Sequence, residues 1–171
     1  CHQGERHIVF FNPESVISNR FYRIHPKEGI DAELLCALLN STITALFEEV
    51  YGQASLGLGA LVFYKPDLSR IPVLRPDILD SEISDKIRTA FSMIKNRKIG
   101  SVFEEIGTHL GEVKLSSIKR DRFELDDIIF DIIGLSQKER LEVYKAVVDL
   151  VRRRITRAEE IEVLVGPEVE H

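Results

Sequence analysis

The chain is poor in cysteine and contains no long apolar run. Its 171 residues include two cysteines, Cys1 and Cys36, so neither a disulfide framework nor a cysteine-rich zinc site is expected. No apolar stretch approaches the roughly 20 residues that a membrane-spanning helix needs, and the N-terminus lacks the apolar segment of a signal peptide. These absences predict a globular protein of the reducing cytoplasm without membrane contact. Because the chain does not begin with Met, we also expect it to be a piece of a longer protein.

An excess of basic residues is also missing. The net charge is −5, whereas nucleic-acid-binding domains are often basic. The acidic excess is uneven: residues 1–75 hold 7 Lys and Arg against 8 Asp and Glu, and residues 76–171 hold 16 against 20. The first part can therefore carry local positive patches despite the negative total.

Sequence patterns typical of cofactor binding and metal catalysis are not found. The glycines of residues 56–59 follow a predicted helix and precede a predicted strand, which is the reverse of the order in a dinucleotide-binding motif. The acid pairs Glu48-Glu49 and Asp126-Asp127 lie on predicted helices, where we interpret them as solvated or helix-terminal charges rather than as a nuclease site. No histidine spacing indicates a zinc site.

The first 75 residues alternate between predicted strands and one helix. Apolar residues recur at helical spacing from the cap Asp31 to about Tyr51, with Asn40, Ser41 and Glu48 on the opposite face. β-Branched and aromatic residues predict strands at residues 8–11, 16–24, 60–65 and 71–74.

The rest of the chain is predicted to be helical. Helices are expected at about 81–95, 101–110, 125–133 and 136–158, with Gly134 ending one helix and a Ser136–Glu139 capping box starting the next. The predicted class is α+β, with a small mixed sheet packed on a long helix and followed by a mainly helical C-terminal part. The expected division is an α/β target-recognition core at 1–75 and a helical region at 76–171, which can belong to the same domain.

Three segments together resemble the C-terminal target-recognition domain of TaqI-like adenine-specific DNA methyltransferases, which serve restriction–modification systems. They are residues 19–52 (NRFYRIHPKEGIDAELLCALLNSTITALFEEVYG), 56–76 (LGLGALVFYKPDLSRIPVLRP) and 123–158 (FELDDIIFDIIGLSQKERLEVYKAVVDLVRRRITRA). The order of the LLNS helix, glycine loop, strand and IPVL segment is also similar to that of type I specificity subunits. Residues 77–122 add little to the resemblance.

The resemblance implies a non-catalytic domain that selects double-stranded DNA. In the family, a separate catalytic domain of the parent chain binds S-adenosylmethionine and methylates a flipped adenine, using an Asn-Pro-Pro-aromatic loop. Phe11-Asn12-Pro13-Glu14 lacks the second proline and the aromatic residue, so we interpret it as a turn. No catalytic, cofactor-binding or metal-binding residue is therefore predicted in this chain.

The predicted DNA contacts lie in three stretches of the first 75 residues, namely 20–27, 53–57 and 64–70. Arginines and lysines bind phosphate, glycines allow close backbone approach, and a glutamine can pair with the edge of adenine. The predicted contact residues are Arg20, Arg23, Lys27, Gln53, Ser55, Gly57, Tyr64, Lys65 and Arg70.

Several alternatives stay open at this stage. Phe21 and Ile24 can be core residues beside solubilising arginines, the glycine loop can be a plain connection, and Arg70 can pair with Asp67. The cluster Arg152-Arg153-Arg154-Arg157 is interpreted as structural, because those positions fan around a helix. The alternative function is a helical bracing domain that docks on a methyltransferase or restriction subunit without binding DNA alone.

Overall fold

Helices make up most of the fold, which is known from a computed structural model. The structure describes residues 2–14, 18, 21–55, 59–108 and 111–165. Within these ranges there are seven α-helices: α1 (Ala32–Leu39), α2 (Thr42–Tyr51), α3 (Lys65–Leu68), α4 (Ser81–Lys95), α5 (Val102–Ile106), α6 (Arg120–Ile132) and α7 (Gln137–Val165). Three two-residue strands complete them: β1 (His2–Gln3), β2 (Gln53–Ala54) and β3 (Leu61–Val62).

The predicted mixed sheet is wrong, because the described strands form only a minimal antiparallel sheet in the order β1-β3-β2. The class is essentially all-α with minor β, although the predicted helical C-terminal part is confirmed. Residues 8–11, 21–24 and 71–74 form no strand, and only Leu61–Val62 of the segment 60–65 does; residues 15–17 and 19–20 lie outside the described residues. Ile8, Val9 and Leu74 still pack on the core. Their apolar, β-branched character therefore indicated burial, not backbone pairing.

The predicted long helix is two helices bent by 68° at Asn40 and Ser41. Asp31 caps α1 as predicted, since its carboxylate accepts from the Leu34 N–H at 2.7 Å. Asn40 ends α1, and Ser41 caps α2 by accepting from the Thr44 N–H at 3.4 Å. Serine side chains that bond to nearby backbone compete with a continuous helix. We call residues 40–42 the α1–α2 junction.

The α1–α2 junction is buried and joins three distant parts of the chain. The Asn40 amide donates to the Val9 carbonyl at 2.9 Å and accepts from the Val9 N–H at 3.1 Å, so it pairs with this segment as a strand would. Thr42 donates its N–H (2.7 Å) and its hydroxyl (2.5 Å) to Asp126 on α6. Arg122 donates to the Asn40 carbonyl. Asn40 and Ser41 therefore belong to the interior. The sequence pattern had instead placed them on the face opposite the apolar residues.

Two apolar clusters fill the interior, and each combines residues from before and after Arg75. The first is formed by α1, α4 and α6, and the second by α2, α5, α6 and α7. Cys36 lies in the first cluster, and burial raises the pKa of its thiol to about 11, consistent with its interpretation as a small buried hydrophobe. In the second cluster, Phe130 and Tyr144 meet edge to face at 5.7 Å.

The observed bounds and caps of the helices agree with the sequence predictions more closely than the observed strands do. The predicted helix at 81–95 is confirmed as α4, whereas α5 is shorter than predicted and α6 begins earlier, at Arg120. Gly134 has the left-handed φ of 74° expected after a helix, and Ser136 and Glu139 form the predicted capping box. α7 continues past the predicted end to Val165.

Glu105 is the centre of a buried ionic network between α5 and α6. It accepts from Arg97 at 2.7 and 2.8 Å, from Lys119 at 2.9 Å and from the Gly100 N–H at 2.9 Å. Arg97 also binds Asp121 through two contacts, at 2.5 and 3.0 Å. Burial of Glu105 opposes its ionisation, but these donors outweigh burial and lower its pKa from 4.5 to about 2.

Replacing Asn40 tests the α1–α2 junction. Asn40→Ala leaves the Val9 N–H without its partner and the Val9 carbonyl with only the Cys36 thiol, and we expect a loss of roughly 1–3 kcal/mol in the free energy of unfolding, measured with urea. Asn96 is the matched control, because it ends α4 in the same backbone conformation but is exposed. Asn96→Ala should change stability by less than about 0.5 kcal/mol. Equal effects of the two substitutions would contradict the role given to Asn40.

Stability at acid pH tests the Glu105 network. Because the folded-state pKa lies below the unfolded value, the contribution of Glu105 is complete above about pH 4.5 and is lost as the pH falls towards 2. The shift corresponds to a contribution on the order of 3 kcal/mol. Glu105→Gln should lower stability at neutral pH and flatten its decline between pH 5 and 2 in urea titrations. The exposed Glu112→Gln should leave that decline unchanged.

Candidate nucleic-acid interface

The predicted glycine loop is the tip of the β2–β3 hairpin. Gln53 pairs with Val62, Ala54 with Leu61, and the Ser55 N–H donates to the Ala60 carbonyl at 2.8 Å. Gly57 lies outside the described residues. Both ends of the loop, at Ser55 and at Gly59, are therefore defined by a backbone hydrogen bond or by packing.

The base of this loop is attached to α7 at Gly59. Gly59 has a φ of 58°, and a Cβ at this position would lie 3.4 Å from the Cβ of Ala158 and 3.5 Å from the Cα of Ile155. A side chain would fit against α7 at ordinary contact distance but would be strained by the positive φ. At Gly59 the interpretation as a structural connection therefore holds.

Arg154 connects the loop, the N-terminal segment and α2 at one point. Its guanidinium binds Glu49 at 2.8 and 3.1 Å and donates to the carbonyls of Gly59 and Gly4, the latter at 3.1 Å. Arg154 and Glu49 are both nearly buried. The structural interpretation of the 152–157 arginines is thus supported for Arg154, and Arg152 binds Asp149 at 3.2 Å on the same helix.

His7 makes a second connection between the N-terminal segment and α2. Its Nδ1 lies 2.6 Å from the Glu48 carboxylate, and its Nε2 lies 2.8 Å from the Leu39 carbonyl. Both ring nitrogens therefore have oxygen atoms within hydrogen-bond distance, and the ring joins the N-terminal segment to α1 and α2. His7, Thr42, Glu105 and Arg122 also line a cavity of about 20 Å³, large enough for one water molecule.

The acid pairs are a correction to the sequence interpretation. Glu48 and Glu49 are not solvated charges, because their side chains are only 12% and 10% exposed and bind His7 and Arg154. Asp126 is fully buried and accepts from Thr42, whereas Asp127 lies nearer the surface, where it binds Arg140 at 2.5 Å. Arg122, which precedes the predicted helix start at residue 125, is buried on α6. Sequence spacing could not reveal these pairs, since their partners lie far along the chain.

Four of the predicted contact residues meet around Asp67. The buried Asp67 carboxylate accepts from the Tyr64 N–H at 2.9 Å and lies 3.5 Å from the Gln53 amide nitrogen. Lys65 begins α3 in the same turn, and the Arg70 N–H donates to the Asp67 carbonyl at 3.1 Å. Asp67 thus positions Gln53 beside α3, a role that the sequence did not indicate.

The segment that contains Arg23 contacts the residue before Tyr64 through the neighbouring Tyr22. The Tyr22 hydroxyl donates to the Phe63 carbonyl at 3.3 Å, immediately before Tyr64. Lys27 belongs instead to the turn that leads into α1, where the Ile30 N–H donates to its carbonyl at 3.1 Å. Arg20 lies outside the described residues. The structure therefore brings Gln53 beside Tyr64, Lys65 and Arg70, and Tyr22, the neighbour of Arg23, contacts the residue before Tyr64.

The cations of this region are not neutralised by the protein itself. Among the described residues, no carboxylate lies within 4.0 Å of Arg23, Lys27, Lys65 or Arg70, so Arg70 does not form the salt bridge with Asp67 that was an alternative. Most Lys and Arg residues after position 76 do have carboxylate partners; examples are Arg88, Arg97 and Arg140. The uncompensated positive charge is thus available to a polyanion.

Two further features concern metal ions and membranes, in the ranges that the structure describes. No group of three or more His, Cys, Asp or Glu residues there is arranged to hold a metal ion. No single described helix has the length and apolar composition to cross a bilayer; α1 and α2 meet that criterion only when combined across their bend.

Comparisons of the chain with protein-family models, with curated proteins and with solved structures find no match. The geometry of the site is therefore the basis for a functional proposal.

Replacing Arg154 tests how the hairpin is held. Arg154→Ala leaves Glu49 buried without its partner, which costs about 3–5 kcal/mol of unfolding free energy. Arg153 is the matched control, because it is the neighbouring residue, is exposed and has no carboxylate within 4.0 Å among the described residues. Arg153→Ala should shift the urea midpoint very little. A loss below about 1 kcal/mol for Arg154→Ala would mean that water solvates Glu49.

Proposed function

We propose that this chain is a non-catalytic domain that recognises double-stranded DNA for an adenine-specific methyltransferase of a restriction–modification system. The observation that carries the proposal is the grouping of Gln53, Tyr64, Lys65 and Arg70 around Asp67, in which Lys65 and Arg70 have no carboxylate within 4.0 Å among the described residues. The segment 56–76, which resembles TaqI-like target-recognition domains, includes Tyr64, Lys65 and Arg70, and Gln53 directly follows the similar segment 19–52. The catalytic domain and its S-adenosylmethionine belong to another part of the parent chain.

The proposed roles follow from side-chain chemistry. Lys65 and Arg70, with Arg23, contact phosphates and supply affinity that does not depend on sequence. Gln53 and Ser55 are the candidates for base contacts, since a glutamine amide can pair with the major-groove edge of adenine. Arg20, Lys27 and Gly57 stay predictions as further contacts. The net charge of −5 favours modest affinity for the isolated chain, with the catalytic domain contributing the rest.

A bracing domain without DNA binding is the second candidate function. Two observations favour it for the helical part: both apolar clusters join that part to the first 75 residues, and most of its cations are neutralised internally. In this alternative, the helices after Arg75 hold the recognition surface and contact a catalytic or restriction subunit.

A salt series with duplex DNA separates the two functions. The affinity of the full chain for duplex DNA should fall with salt, and each phosphate contact should contribute about 0.9 to the slope of log K against log salt concentration. Lys65→Ala and Arg70→Ala should each weaken binding to all sequences alike and reduce that slope by about 0.9. Binding is measured by fluorescence anisotropy of a labelled duplex.

Lys138→Ala is the matched control. Lys138 is exposed, and among the described residues it has no carboxylate within 4.0 Å. It lies on α7 about 24 Å along the axis from Arg154, which contacts the hairpin. Its replacement should leave the slope unchanged. Duplex binding that does not respond to salt, or that responds equally to all three substitutions, would favour the bracing function.

A further inference from the structure

Three aromatic side chains that the proposed phosphate and base contacts do not use lie exposed near the hairpin. Phe10, Phe21 and Tyr22 are 62%, 56% and 44% exposed, so the alternative in which Phe21 is a core residue is wrong, as it is for Ile24. The rings of Phe10 and Phe21 meet edge to face, with centroids 5.8 Å apart and an interplanar angle of 65°. We call these three residues the aromatic patch.

The aromatic patch is held by the body of the protein without being covered by it. Val9, next to Phe10, is fixed by two hydrogen bonds to the Asn40 amide. Tyr22, next to Phe21, donates to the Phe63 carbonyl at 3.3 Å. The rings are therefore positioned from both sides on a surface that faces solvent. Large exposed apolar groups that are held in this way mark interaction sites.

We propose that the aromatic patch binds an unstacked nucleobase, either in a single strand or displaced from a duplex. Bases stack on exposed aromatic rings, and proteins that bind unpaired nucleotides combine such rings with cations that follow the backbone. This inference rests on the proposed nucleic-acid function and extends it from paired to unpaired nucleotides.

Charge favours a nucleic acid over a protein as the occupant. Arg23 follows Tyr22 directly, and Lys65 lies two residues after Phe63, which binds Tyr22. Among the described residues neither cation has a carboxylate within 4.0 Å, so both are available to the phosphates of a bound strand. A protein partner would need to supply carboxylates to neutralise the same positions. Contact with a protein is therefore the competing outcome of the test.

The sequence contains no tryptophan, which makes a direct optical test possible. Phe21→Trp keeps an aromatic ring and introduces a single fluorophore into the full chain. We expect its fluorescence to be quenched by a single-stranded oligonucleotide and by a duplex with one unpaired base, and much less by an intact duplex of the same length. The first two DNAs distinguish a free strand from a displaced base as the source.

The control for quenching is Ile133→Trp. Ile133 is 41% exposed and caps the C-terminal end of α6. Arg122, which contacts the α1–α2 junction, lies near the opposite end of the same helix. A tryptophan there should show no quenching by any of the three DNAs. Equal quenching at both positions would indicate nonspecific association and would overturn the proposal.

Phe21→Leu separates stacking from general apolar contact. Leucine keeps the apolar character but removes the ring, so affinity for the single strand and for the unpaired-base duplex should fall roughly tenfold or more. Affinity for the intact duplex should stay the same, and so should the thermal midpoint, since the ring is exposed. Unchanged binding of all three DNAs would overturn the proposal and leave protein contact as the role of the aromatic patch.

The same titrations distinguish this proposal from the proposed function. Salt-dependent binding of the intact duplex without any preference for unpaired bases overturns the aromatic patch alone. Quenching by the single strand without salt-dependent duplex binding overturns duplex recognition alone. A chain that binds none of the three DNAs contradicts both.

Discussion

The structure depends on the hydrogen bonds made at the α1–α2 junction. Asn40 holds the extended segment at Val9, while Thr42 and the Asn40 carbonyl engage Asp126 and Arg122 on α6. These groups are buried, and a buried polar group without a partner costs more than a typical hydrogen bond contributes. The bend between α1 and α2 therefore specifies one arrangement of the N-terminal segment relative to the helices, and it also orients α2, which carries Glu48 and Glu49.

The two glutamates of α2 connect this helix to the N-terminal segment and to the proposed interface. Glu48 pairs with His7, and Glu49 pairs with Arg154, which also binds the carbonyls of Gly4 and Gly59. The hairpin is thereby attached to the longest helix by a nearly buried ion pair, for which removing one partner is costly. A loop fixed at its base suits recognition, because less order has to be gained on binding.

The charged residues of the proposed interface differ from those that form stabilising ion pairs in the helical part. The helical part neutralises most of its cations internally, as in the network of Glu105, Arg97 and Asp121. Around the hairpin, the carboxylate of Asp67 is engaged by a backbone N–H and an amide, and no carboxylate of the described part of the chain lies within 4.0 Å of Lys65 or Arg70. An acidic chain can therefore present a locally positive surface, so the total charge does not by itself argue against a polyanionic partner.

Local patterns in the sequence determined the helices, because capping and helical periodicity act over a few residues: Asp31, Gly134 and Ser136 mark helix ends where they were expected. The sequence patterns did not predict the strands correctly, since β-branched residues indicate burial whether or not a backbone partner is present. They also did not predict the break between α1 and α2. Phosphate-binding candidates could be named from their chemistry, but their grouping depends on Asp67 and Arg154, which bind residues 14 and 105 positions away. Only the tertiary structure decided which charges are paired inside and which face outward, because that choice depends on contacts between distant segments.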